Sequence, residues 1–245
     1  MAEFDAGVFL VDKPPGPTSF QMVHGIRRLL GLKKVGHAGT LDPFASGLLV
    51  VCAGRPATRL ISSLMEGEKE YLATLRLGIE TLTQDPEGDV IARSSLGRIA
   101  AEQVEKCLTE FRGEQEQVPP TFSALKHKGK PLYYYARKGI EIIKAPRRVT
   151  IRTLIRTDDG CDLEGDESDL PLRIVCSKGT YIRTLAADIG KRLGCGAYLR
   201  TLRRTKSGCF SVENSFPGQD LSRKDARERL LAGRLSVEDV CKLLQ

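Results

Sequence analysis

The sequence predicts an α+β fold, with a mixed, mainly antiparallel sheet and flanking helices. Two observations carry that expectation. Segments with the two-residue period of strands are interleaved with segments of helical period, and no regular strand-helix-strand rhythm of the kind that builds a doubly wound parallel sheet develops. The composition is that of a globular chain, 41% hydrophobic and 28% charged over 245 residues. Domains run to roughly 100–200 residues, which leaves room for one large domain or two small ones.

Val8 to Val11 reads as the first strand. Ser19 caps a helix that turns Phe20, Val23, Ile26 and Leu30 inward and stops at Gly31. The apolar, β-branched run Gly47 to Ala53 is a buried strand, and Pro56 opens a helix with Leu60, Ile61 and Leu64 inside. Tyr71 to Leu77 alternates as a strand with Tyr71, Ala73, Leu75 and Leu77 on one face; Val104, Leu108 and Phe111 mark the next helix. In the strand Arg148 to Arg156, Val149, Ile151 and Ile155 share a side, and Leu172 to Cys176 is a further strand. A helix from about Thr180 to Leu193 buries Ile182, Leu185, Ala186, Ile189 and Leu193, leaves Arg183 off the stripe, and ends at Gly194. Ser222 and Ser236 cap two short closing helices.

Several functional classes are disfavoured at once. Glu3 and Asp5 stand where a secretory signal needs positive charge, and no apolar run approaches the roughly 20 residues of a membrane helix. A cytoplasmic protein with no membrane span is expected. Seven scattered cysteines, with no CxxC pair and no nearby His, predict reduced thiols and no metal site. The 38 Lys and Arg exceed the 31 Asp and Glu by seven, which suits a polyanionic partner. That excess is concentrated: Arg173 to Phe210 holds nine basic residues and one acid, whereas Asp158 to Asp169 holds seven acids and no base and reads as a solvated loop. A charge run is more often a solvated face than an interface, so charge alone tilts only slightly toward nucleic acid.

The chemistry is sought in Gly36-His37-Ala38-Gly39-Thr40-Leu41-Asp42-Pro43-Phe44-Ala45-Ser46-Gly47. Three Gly and one Pro in twelve residues describe a tight loop whose backbone approaches a ligand, with Asp42 and His37 as its only ionisable side chains. On spacing alone, Asp before Pro is first of all a turn former. There is no Walker lysine, no GxGxxG and no HExxH, so nucleotide cofactors and catalytic zinc lack their usual signatures.

This loop resembles the catalytic motif of the tRNA pseudouridine synthase B family. Other segments agree in order: Asp12-Lys13-Pro14-Pro15-Gly16-Pro17-Thr18-Ser19, Lys69-Glu70-Tyr71, Thr81-Leu82-Thr83-Gln84-Asp85, Tyr133 to Gly139, Cys176 to Leu185, and Leu202-Arg203-Arg204. The resemblance implies the pseudouridine synthase fold and the isomerisation of a flipped-out uridine, position 55 in the T-loop of tRNA. That reaction has no net redox change, so no cofactor is expected. It makes Asp42 the nucleophile, attacking either C6 of the base or C1′ of the ribose. Arg183 would pair with Asp42 and hold it ionised. Tyr71 would lie against the uracil, Tyr181 and Leu202 would line the pocket, and His37 would contact the displaced nucleotide. Read without the resemblance, Tyr71 is a core aromatic, Leu202 ordinary packing, Arg183 a surface arginine and His37 an exposed loop residue.

Extruding a base costs a few kcal/mol, which phosphate contacts must offset. Candidates for those contacts are Lys126, Lys128, Lys130, Lys178, Arg200, Arg203, Arg204 and Lys206. The expected partner is tRNA through its T-arm, with no obligatory protein partner and a monomeric chain. The expected organisation is a catalytic domain over 1–210, an RNA-binding insertion around 120–145, and a short helical extension over 211–245 in place of a full C-terminal RNA-binding domain. Two other readings stay open: a guide-RNA-dependent pseudouridine synthase subunit, and an RNA-binding or tRNA-folding protein with secondary catalysis.

Overall fold

The computed structural model describes residues 4–245 apart from 124, 137, 141 and 143, with backbone alone at 126 and 131. Its contacts group into two units, Met1–Leu72 with Leu202–Gln245, and Ala73–Thr201. The strands Lys69–Leu77 and Ala197–Ser207 carry the chain from one unit to the other.

Strand parity sorts the core of the first unit. Gly7–Lys13 pairs antiparallel with Ser46–Ala53 along its whole length, Gly7 facing Ala53 and Lys13 facing Gly47. One face of the pair presents Phe9, Val11, Leu49, Val51 and Ala53 to the helices Ser19–Leu30 and Ala226–Ala232. The other presents Val8, Leu48, Val50 and Cys52 to Ala57, Leu64 and Val240 from the short helices Arg55–Thr58, Ile61–Leu64 and Val237–Leu243. Burial on both faces explains why Gly47 to Ala53 reads as an unbroken apolar run. The free edge of Ser46–Ala53 is shared: Val35–Ala38 runs antiparallel against residues 50–53, and Arg203 and Arg204 run parallel beside Ser46 and Gly47. Phe216–Pro217 joins Gly7–Lys13 in parallel, so the sheet is mixed but mainly antiparallel.

In the second unit the strand order is Lys69–Leu77, Ser168–Cys176, Arg147–Arg156, Gly113–Gln117, with the last two junctions antiparallel. The helix Ala101–Glu110 packs on Ile182–Leu193 through Val104, Cys107 and Leu108. A two-residue hairpin, Lys126–His127 against Lys130–Pro131, turns through Lys128 and Gly129, both at positive φ, and leads into the helix Leu132–Ala136.

Local chemistry adjusts several expectations. Thr18, not Ser19, caps the first helix: its side chain accepts from the Gln21 amide while the Gln21 side chain returns to the Thr18 amide. The buried stripe then contains Ser19 and Met22, and Phe20 is 72% exposed. In Arg147–Arg156 a register shift between Ile151 and Thr153 reverses parity, so Leu154 is buried and Ile155 faces outward. Ser222 ends a 3-10 turn, Gly218–Ser222, rather than starting a helix, while Ser236 caps Val237–Leu243 by accepting from the Asp239 amide. The acidic stretch 158–169 contains the strand Leu163–Gly165 and is threaded with arginines. Arg156 holds Asp158, Arg98 holds Asp162 and Glu164, and Arg76, Arg93 and Arg200 hold Glu167 and Asp169.

Candidate active site

Asp42 lies in the connection between Val35–Ala38 and Ser46–Ala53, a hairpin loop fixed by main-chain contacts on both sides of it. Before it, Ser19 Oγ donates to the Leu41 carbonyl and accepts from the Leu41 amide, each at 2.9 Å. After it, the Pro43 carbonyl accepts from Lys13 Nζ at 3.1 Å and from the Gly16 amide at 2.8 Å. Lys13 is fully buried and also donates to the Pro14 and Pro17 carbonyls at 2.9 and 2.7 Å. Its ammonium therefore binds the proline-rich turn to the Asp42 loop, and the carbonyl dipoles offset the cost of burying a charge. Arg204, 2% exposed, closes the hairpin, donating from Nε to the Leu48 carbonyl and from Nη2 to the Gly39 carbonyl. Gly47 is required at this crossing: its φ is +100°, and a Cβ would stand 2.2 Å from the Arg204 carbonyl oxygen.

His37, at the end of the strand leading into the loop, has its pKa lowered first by burial and second by the Arg204 charge, against a backbone hydrogen bond with Gly39. The imidazole is therefore neutral at pH 7. Its Nδ1 is buried and has no hydrogen-bond partner among the described residues. Tyr71, 9% exposed, shares the inner face of Lys69–Leu77 with Ala73, Leu75 and Leu77, as its alternation predicts. Thr205 Oγ1 donates to the neighbouring Glu70 carboxylate at 2.8 Å, fastening this strand to the one that carries Leu202, itself 8% exposed.

Arg183 and Tyr181 belong to the second unit. Arg183 is 5% exposed rather than on an open helix face. Its Nη1 lies 3.2 Å from Asp85 Oδ2 and donates to the Thr83 carbonyl, and its Nη2 donates to the Phe122 carbonyl at 2.8 Å. Asp85, 3% exposed, is itself oriented by the Glu87 amide. Sequence reading assigned this carboxylate no role, although it closes the segment Thr81 to Asp85. Tyr181 caps the helix Ile182–Leu193: buried Gln117 donates to its carbonyl and accepts from its amide, and the Arg147 guanidinium sits 5.5 Å from its ring centre.

The proposed backbone contacts fall into different environments. Lys128, Lys130, Lys178 and Lys206 are exposed, and Lys130 lies 4.4 Å over the Tyr134 ring. The Lys126 side chain is outside the described residues. Arg200 pairs with Asp169, and Arg203 grips Asp12 with two bonds of 2.9 and 2.7 Å. Arg204 is spent on carbonyls inside the first unit, with no surface to offer a phosphate. Among the described residues no group of three or more His, Cys, Asp or Glu side chains could hold a metal, and no helix is long and apolar enough to cross a membrane.

A family model described as TruB family pseudouridylate synthase (N terminal domain) matches residues 27–182, and one described as tRNA pseudouridylate synthase B C-terminal domain matches residues 183–236. Fold and matches define a pseudouridylate synthase. The chain is 63% identical over 243 residues to tRNA pseudouridine synthase B of Desulfotalea psychrophila, covering 99% of this chain and 98% of the relative. It is 49% identical to the protein of that name from Chromobacterium violaceum, covering 92% and 72%. Among solved structures, a Cbf5-Nop10-Gar1 complex matches with TM-score 0.71 and 31% identity, covering 97% of this chain and 62% of that one. An H/ACA RNP bound to a substrate RNA containing 2'-deoxyuridine matches with TM-score 0.68 and 28% identity, at 97% and 61% coverage. The chain belongs to the TruB family of pseudouridylate synthases.

Proposed function

We propose that the protein isomerises uridine 55 in the T-loop of tRNA, with Asp42 as the nucleophile toward a base flipped out of the RNA. The observation that carries this reading is the fixing of the Asp42 loop: Leu41, Pro43 and Gly39 are each held by a side chain from elsewhere in the same unit. A carboxylate so held keeps its direction through attack and release, which is what a covalent intermediate at C6 or C1′ requires. In the same reading Tyr71, Leu202 and Tyr181 surround the uracil, Arg183 serves Asp42, and neutral His37 meets the displaced nucleotide. Lys126, Lys128, Lys130, Lys178 and Lys206 contact phosphate. The protein works as a cytoplasmic monomer on free tRNA.

The solved Cbf5-Nop10-Gar1 and H/ACA RNP neighbours are 31% and 28% identical, against 63% for the relative named tRNA pseudouridine synthase B, and that difference supports the tRNA reading. The test is incubation with an unmodified tRNA transcript carrying tritium at uracil C5. Release at position 55 by the wild type, abolished in a folded Asp42→Asn variant, is expected. Equal behaviour of the two proteins would sink the nucleophile assignment, and release only after addition of a guide RNA would sink the guide-free reading.

A further inference from the structure

We propose that Arg204 is a positioning residue for the reaction: it sets the mouth of the Asp42 hairpin and so governs the chemical step rather than RNA affinity. The inference rests on the uridine-isomerising reading of Asp42. Its basis is the shared edge of Ser46–Ala53. Val35–Ala38 occupies that edge opposite residues 50–53, Arg203 and Arg204 occupy it opposite 46 and 47, and the Asp42 loop leaves and re-enters the sheet between them. One guanidinium spans the opening, bonded at 2.8 Å to the Leu48 carbonyl on the returning arm and at 2.9 Å to the Gly39 carbonyl on the departing arm.

Two donors in a rigid planar fork fix both arms at once, each nitrogen aimed at its own carbonyl, whereas the donors of a lysine ammonium radiate from a single nitrogen on a flexible stem. The absent Gly47 side chain lets the Arg204 backbone come close enough for this reach. With 2% exposure the group is closed to phosphate, although it sits in the most basic stretch of the chain. The same charge lies beside His37 and disfavours its protonation. Placement of this kind matters to catalysis because a displacement of about 1 Å in a reacting group costs on the order of 100-fold in rate.

The experiment compares wild type, Arg204→Gln and Arg204→Lys as full chains. Single-turnover tritium release is read at saturating enzyme, the Kd of a T-arm stem-loop is measured at two salt concentrations, and the His37 imidazole is titrated by NMR. Arg204→Gln is expected to slow release at least tenfold per folded molecule, leave Kd within twofold and its salt dependence unchanged, and raise the His37 pKa toward the ordinary value. Arg204→Lys keeps the charge and loses one bond, so it recovers part of the rate and leaves His37 low; it also carries the comparison if Arg204→Gln melts below the assay temperature. A variant rate within twofold of wild type, or a tenfold weaker Kd at unchanged rate, overturns the inference while leaving the isomerase reading intact. A wild type that binds the stem-loop but releases no tritium overturns the isomerase reading, and the rate role of Arg204 with it.

Discussion

Lys13→Met removes a buried ammonium while nearly preserving the length of the side chain, and it tests how far the Asp42 loop depends on that charge. In the native protein Nζ donates to the carbonyls of Pro14, Pro17 and Pro43. Pro43 stays satisfied without it, because the Gly16 amide bonds the same oxygen at 2.8 Å. Pro14 and Pro17 lose an acceptor bond, at about 1–3 kcal/mol for each group left unsatisfied. The variant no longer buries a charge, which returns part of that sum, so the net loss is about 2–4 kcal/mol. In a chain of this size about 1 kcal/mol moves the melting temperature by roughly 2–4 °C, giving a fall of about 5–15 °C. Thermal unfolding followed by circular dichroism measures it, and tritium release below the transition reports the loop. A melting temperature within a degree of wild type, with unchanged release, would refute the claim that Lys13 holds the loop.

Three further outcomes are expected. Asp85→Ala removes the carboxylate 3.2 Å from the buried Arg183 guanidinium, and breaking a buried pair from one side costs about 3–5 kcal/mol; urea unfolding that shows less than about 1 kcal/mol would contradict that pairing. Thiol reagents should label exposed Cys161 and Cys209 in the native protein and reach Cys52 and Cys107 only on unfolding. Burial lifts the latter two pKa values to about 12 and about 11, and at Cys161 a bond to Asp159 raises the pKa and slows the reaction. RNA affinity should fall with salt at a slope of about −3.5 to −4.5 in log units, as for the five lysines, rather than about −5 to −6 as when Arg200 and Arg203 join them. The steeper slope would mean that Arg200 and Arg203 exchange their carboxylates for phosphate.

The Asp42 loop was legible because its residues are contiguous and its Gly and Pro positions announce an unusual backbone. What the sequence hid were partners brought from a distance. Arg183 lies off the apolar stripe of its helix, which by periodicity alone means solvent, yet Asp85 and two carbonyls fill the space around it. Parity failed where the backbone broke it, at the bulge that turns Ile155 outward. Phe20 failed for another reason: with Thr18 as the cap, the inward stripe falls on Ser19, Met22, Val23, Ile26 and Leu30.

The basic stretch shows why charge counted along a sequence misjudges a surface. Its second half is an eleven-residue strand, Ala197–Ser207, with Leu199, Leu202 and Arg204 buried. A strand buried on one side sends neighbouring arginines in opposite directions. Arg203 is half exposed beside Asp12, while Arg204 is taken inside, where only a side chain with several donors can satisfy main-chain carbonyls without a counter-ion. Arg192 and Arg200 meet Glu110 and Asp169 at the surface, where such pairs are worth little and release their cations readily. One run of like charge thus divides into cations that hold the fold and cations that face solvent, and strand position rather than charge density decides which is which.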